Sequence, residues 1–113
     1  MRITIENFEK LTTEQKEKLQ KLGKYNYDWA HAVCRKDTGE VVDIYEESKG
    51  ICVKIACDSI PNVKKGTIVV LFPLPSIANM LEMFANDGVK ISLEKFDEKY
   101  LNKLWGKFKT EYL

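Results

Sequence analysis

The side chains with the greatest chemical capacity in this chain are one histidine, His31, and three cysteines, Cys34, Cys52 and Cys57. A thiol becomes a working nucleophile when a base adjoins it and a third group orients that base. His31 precedes Cys34 by three positions. On a helix the two would cooperate, whereas on a strand alternation sends them to opposite faces. Cys52 or Cys57 would have to approach His31 across a sheet, and no spacing demands it. The ordinary fate of such thiols is burial as small apolar residues. A metal centre is disfavoured on the same grounds, because zinc sites draw on paired C-x-x-C or H-x-x-x-H spacings that the chain lacks. Glu46-Glu47 adjoins an expected turn, where a solvated charge pair is the default. No G-x-x-x-x-G-K-[ST], G-x-G-x-x-G or G-x-S-x-G occurs. The sequence implies no catalytic residue, no metal and no cofactor.

Binding chemistry has more to work with. Tyr25, Tyr27 and Trp29 alternate beside Lys24, with Arg35 and Lys36 nearby. An exposed aromatic strand face of this kind stacks single-stranded bases at ~1–3 kcal/mol each, and Lys64 and Lys65 would touch phosphates from a loop. Net charge opposes this reading. It is only +1, from 18 basic and 17 acidic residues, so no broad field attracts nucleic acid or anionic lipid. Between residues 28 and 50, moreover, Asp28, Asp37, Glu40, Asp43, Glu46 and Glu47 outnumber Arg35, Lys36 and Lys49. The more ordinary role of the same aromatics is as core or as a packing surface for the terminal helices. Near the C-terminus, Phe96, Tyr100, Leu101, Leu104, Trp105, Phe108 and Tyr112 exceed what a small sheet needs as cover. If Trp105 or Tyr112 stays exposed it becomes an interface anchor, since these residue types dominate binding hot spots.

The elements that must position these groups are read from periodicity. Ile3, Ile5 and Phe8 suggest a short strand or extended arm. Thr12-Thr13-Glu14-Gln15 has capping-box spacing and opens a helix to Leu22 that stops at Gly23, with a thin apolar stripe of Leu11, Leu19 and Leu22. Tyr25 to Val33, Val41 to Tyr45, Ile51 to Cys57 and Thr67 to Phe72 read as strands, the last an interior one because it is apolar on both faces. Asp37-Thr38-Gly39-Glu40, Ser48-Lys49-Gly50 and Asn62-Val63-Lys64-Lys65-Gly66 read as the turns between them, implying antiparallel hairpins. Ser76 caps a helix bearing Ile77, Met80, Leu81 and Phe84 that ends at Asn86-Asp87-Gly88. Val89, Ile91 and Leu93 alternate as a last strand, and Asp97 caps the terminal helix. The resulting order is β-α-β-β-β-β-α-β-α.

Strand Ala32-Val33-Cys34-Arg35, turn Thr38-Gly39, strand Glu40-Val41-Val42-Asp43-Ile44 and the run Val63-Lys64-Lys65-Gly66-Thr67-Ile68-Val69 together resemble a small SH3-like barrel. The resemblance covers about a third of the chain. The flanking helices depart from a bare barrel, and fold analogy does not assign function.

With 113 residues, 44% hydrophobic and 31% charged, the chain suits one globular domain, residues 1–113, rather than two. The expected fold class is α+β, a mainly antiparallel sheet of five or six strands packed by two or three helices. The longest apolar stretch, Ile68 to Phe72, is far short of the roughly 20 residues that span a bilayer. Met1 to Glu6 lacks the apolar core of a signal peptide, and an odd cysteine count suits a reducing compartment, so cytoplasm is expected. The favoured function is a non-enzymatic binding module, an adaptor, inhibitor or immunity-type protein that occludes a protein partner through Tyr25, Tyr27, Trp29, Trp105 and Tyr112. The alternative is a single-stranded nucleic-acid-binding domain using Tyr25, Tyr27, Trp29, Lys64 and Lys65. A third reading is a cysteine-dependent enzyme built on His31 with Cys34 or Cys57.

Overall fold

A computed structural model describes residues 1–23, 26, 28–46 and 66–113. These form an α+β fold with the order α1 (Ile5–Glu9), α2 (Thr13–Gly23), β1 (Ala30–Arg35), β2 (Val41–Tyr45), β3 (Val69–Leu74), α3 (Ile77–Asn86) and α4 (Glu98–Tyr112). The three strands make an antiparallel sheet in the order β2-β1-β3. The chain divides into two compact units, Met1–Lys18 with Leu74–Leu113, and Leu19–Pro73.

In the sheet-bearing unit, β1 is the central strand, and all of it except Arg35 is buried. Its core contribution comes from Trp29, Ala32, Val33 and Cys34 together with Leu19 from the end of α2. Pairing with β2 runs His31↔Tyr45, Ala32↔Ile44, Val33↔Asp43 and Cys34↔Val41. The register skips Val42, which is therefore the extra residue of a bulge in β2 while β1 stays regular. The hairpin closes through Arg35 N–H to the Glu40 carbonyl and Gly39 N–H to the Arg35 carbonyl, both 2.8 Å. Gly39 takes φ 75° there, a conformation that costs a Cβ-bearing residue about 1 kcal/mol or more.

The other unit is helical. Thr4 accepts from Asn7 N–H while the Asn7 side chain accepts from Thr4 N–H, a reciprocal cap for α1. Thr12 and Gln15 do the same for α2, and Ser76 and Asn79 for α3. Asp97 caps α4 by accepting from Tyr100 N–H at 2.9 Å. Each such cap contributes about 1 kcal/mol by satisfying N–H groups that no helical carbonyl reaches. α3 closes in a Schellman turn, Val89 N–H to Phe84 C=O and Gly88 N–H to Ala85 C=O, with Gly88 at φ 70°. α3 and α4 pack through Phe84, which meets Phe108 edge-on at 6.1 Å and Tyr112 in a stack at 5.9 Å. Ile3, Phe8, Leu74, Ile77, Met80, Leu101 and Leu104 complete the core of this unit.

The five- or six-stranded sheet expected from the sequence is corrected, among the described residues, to three strands with four helices. Ile3 to Phe8 alternate, yet the extended backbone ends at Thr4, and the segment before it is held by Ile3 N–H to the Pro75 carbonyl and Ile77 N–H to the Met1 carbonyl. From Ile5 onward the Thr4–Asn7 cap wins, and Phe8 is buried from a helix. Val89 to Leu93 alternate as well, but the segment forms no strand and pairs with none among the described residues. The strand expected at Thr67 begins at Val69 and runs to Leu74. Among the described residues it lies at one end of the strand order rather than inside it. Pro73 sits in that strand, and proline, which has no N–H to donate, suits a sheet edge. Among the described residues the strands run in the order β2-β1-β3 and do not form the barrel that the SH3-like resemblance implied. The expected strand Ile51 to Cys57 and the turn at Ser48-Lys49-Gly50 lie outside the described residues.

Candidate functional site

Of the residues that promise chemistry, the described ones lie deep in the sheet. Both His31 and Cys34 are on β1 and almost fully buried, and the regular alternation of that strand places them on opposite faces. His31 Nδ1 lies 2.7 Å from the Trp29 carbonyl oxygen. Since that oxygen only accepts, Nδ1 carries the proton and donates it. Burial pushes the imidazole below its ordinary pKa of 6.5, opposed by this bond. Cys52 and Cys57 lie outside the described residues. No cluster of three metal-ligating side chains occurs among the described residues, and no helix among them is long and apolar enough to cross a membrane.

His31 also explains Gly23. A Cβ built at position 23 would lie 3.0 Å from Pro73 Cδ and 3.3 Å from His31 Nε2. The glycine closes α2 with an ordinary φ, not the left-handed one its position suggests. It is there to let a proline ring and an imidazole approach the helix.

The aromatic residues named as partner-binding candidates are distributed unevenly. Trp29 is 3% exposed and Trp105 4%, so both rings lie in hydrophobic core. Trp105 stacks on Phe108 at 5.8 Å, with Lys109 Nζ 5.7 Å from its ring centre. Tyr112 is half-buried, and its hydroxyl donates to Asp87 Oδ2 at 2.6 Å. Burial and that carboxylate together hold its phenol well above the usual pKa. Tyr25, Tyr27, Lys64 and Lys65 lie outside the described residues.

A different surface combines exposure with order. Residues 89–97 link α3 to α4 without regular structure, and they carry Leu93, 78% exposed, and Phe96, 54% exposed. Several bonds hold this loop to α4. The Tyr100 hydroxyl, itself buried at the helix start, donates to the Ser92 carbonyl at 2.7 Å. Lys103 donates to the Glu94 carboxylate and to Ser92 Oγ, and Ser92 Oγ donates to Glu94 at 3.2 Å. The Lys103 bond holds the Glu94 carboxyl below the ordinary range. Phe96 stacks on Tyr100 with ring centres 5.9 Å apart.

Beside this loop runs an open groove of about 520 Å³, lined by Lys90, Ile91 and Ser92 from the loop and by Lys103, Gly106, Lys107 and Thr110 among others from α4. Gly106 is the unusual member. Glycine inside a helix costs about 1 kcal/mol relative to alanine, and a Cβ at this position would meet no atom within 4 Å. Packing among the described residues therefore does not call for it. A second hollow, in the sheet-bearing unit, is lined by Arg35, Lys36, Asp37 and Gly66 to Ile68. There the Arg35 guanidinium grips Asp37 at 2.8–3.0 Å and holds its carboxyl below the usual range, so the hollow's strongest cation is already committed.

The sequence reading counted Phe96 with the buried stripe and placed Leu93 on a strand, so it missed this surface. The legible signal was composition. A chain segment with two large apolar residues, Leu93 and Phe96, among Lys90, Glu94, Lys95 and Asp97 lacks the apolar density of a core strand. Comparisons with family models, curated proteins and solved structures give no match to this chain.

Proposed function

We propose that this chain is a small non-enzymatic binding module that occludes a protein partner, and that it engages that partner through the 89–97 loop. The observation that carries the reading is the combination of Leu93 and Phe96, both exposed, with a loop held in place by Tyr100 and Lys103. Scattered exposed apolar residues are ordinary on their own. Placed on a preordered loop they differ, because little conformational entropy remains to be lost on binding. Large apolar side chains desolvated at the centre of an interface then supply most of its energy. The proposed setting is the cytoplasm, where an odd number of cysteines stays reduced.

The reading is tested by affinity capture from nuclease-treated lysate, with the whole protein and its Leu93→Asp/Phe96→Ser double variant as baits. Both positions are exposed, so the variant is expected to keep its helical circular dichroism and to melt within a few degrees of the parent. A protein retained near stoichiometric yield by the parent and at least about tenfold less by the variant is the expected result. Equal retention by both, or retention that disappears with nuclease, overturns it.

A further inference from the structure

We propose that the groove between the 89–97 loop and α4 receives an acidic, extended segment of the partner, with carboxylates at alternate residues. The inference rests on the binding-module reading and adds the chemistry of what is bound. Three ammonium groups, on Lys90, Lys103 and Lys107, line the groove, and no carboxylate does among the described residues. Glu94 pairs with Lys103, and Glu111 pairs with Lys107 at 3.5 Å, from outside the lining. The Glu111–Lys107 pair is exposed, of the kind held only weakly, so an incoming carboxylate exchanges with Glu111 at little loss, whereas Lys103 keeps its bonds to Glu94 and Ser92 and offers its third N–H. Lys90 makes no ion pair among the described residues.

Geometry then narrows the ligand. Lys103 and Lys107 are one turn apart on the same helical face, a rise of about 6 Å. Alternate residues of an extended chain are separated by about 6.6 Å and point the same way. An Asp/Glu-x-Asp/Glu segment lying along α4 therefore presents one carboxylate to each lysine, while Lys90 meets the segment from the loop side. Gly106, between the two lysines, keeps the helix surface free of a side chain where that segment would pass. This accounts for a helix-interior glycine that internal packing does not require. Thr110 donates to the Gly106 carbonyl at 3.1 Å, so that carbonyl is already supplied and the helix does not need a side chain there to shield it.

The test selects phage-displayed random dodecapeptides on the immobilised 113-residue chain, then measures a fluorescein-labelled copy of the leading peptide by anisotropy. Enrichment of Asp/Glu-x-Asp/Glu is expected, with affinity falling as salt rises. Lys103→Ala and Lys107→Ala should each weaken the labelled peptide about tenfold. Gly106→Gln should weaken it comparably while the melting temperature holds or rises, an outcome a merely structural glycine would not produce. Failure to enrich any peptide overturns the inference, as does binding indifferent to Lys103, Lys107 and Gly106. Enrichment of apolar peptides that need Leu93 and Phe96 but not the lysines removes the acidic ligand and leaves the binding-module reading standing. Oligothymidine that displaces the peptide and binds more tightly overturns both.

Discussion

The β1 strand and the 89–97 loop invert the expectation that reactive residue types mark the working surface. β1 carries the only histidine and a cysteine, and both are buried with the strand, His31 already bonded to a main-chain carbonyl. The loop carries nothing reactive, yet it exposes two large apolar side chains and borders a lysine-lined groove. The difference follows from how each segment satisfies its backbone. A central strand is satisfied by its two neighbours and can sink out of water on both faces. A loop without strand partners must remain near water, and here side chains of α4 hold it in one shape. Surface chemistry in this protein thus belongs to the segment that could not be buried.

Three substitutions sharpen that contrast. The largest effect is expected from Phe84→Ala, which removes the ring that Phe108 and Tyr112 pack against. It should cost about 3–5 kcal/mol, read as a lower urea midpoint, and should loosen the loop through α4. A loss under about 1 kcal/mol would mean that the helical unit does not depend on this aromatic cluster. Next comes Gly23→Ala, which gains helix propensity but forces Pro73 and His31 to move. A net loss of about 1 kcal/mol or more is expected, and a gain in stability would show that the close approach is not a constraint.

The smallest effect is a pH dependence. Because burial depresses the His31 pKa, the unfolded chain binds a proton that the folded chain refuses. The contribution is fully present above the unfolded value of about 6.5 and is lost as pH falls from there toward the lower folded value. The melting temperature should fall over that window in the parent and fall less in His31→Gln. Parallel curves for the two proteins would show that His31 titrates alike in both states.

Local signals were the most legible part of the fold. The caps at Thr12, Ser76 and Asp97, the turn at Gly39, the strand Val41 to Tyr45 and the stripe from Tyr100 to Phe108 depend on residues a few positions apart, so neighbouring sequence is enough to specify them. Alternation misled where a cap or an absent partner decided otherwise, at Ile5 to Phe8 and at Val89 to Leu93. The Thr4–Asn7 box was also written in the sequence, but asparagine at the third helical position is a fainter mark than the glutamate or glutamine usually read there. The loop surface was not legible at all. Exposure of Leu93 and Phe96 depends on Tyr100 and Lys103 reaching back from the next helix, and periodicity carries no trace of such reach.

By itself the sequence determined where α2, α3 and α4 start, that the chain mixes helices with an antiparallel hairpin, and that no stretch of it is apolar enough to span a bilayer. Those properties are set by capping groups, glycine conformations and apolar spacing, all of short range. Only the tertiary structure decided that Trp29, Trp105, His31 and Cys34 are buried, that Gly23 makes room for Pro73 and His31, and that a cationic groove opens beside an ordered apolar loop. Burial and juxtaposition arise from which faces of distant segments meet, and that depends on the packing of the whole chain rather than on any window along it.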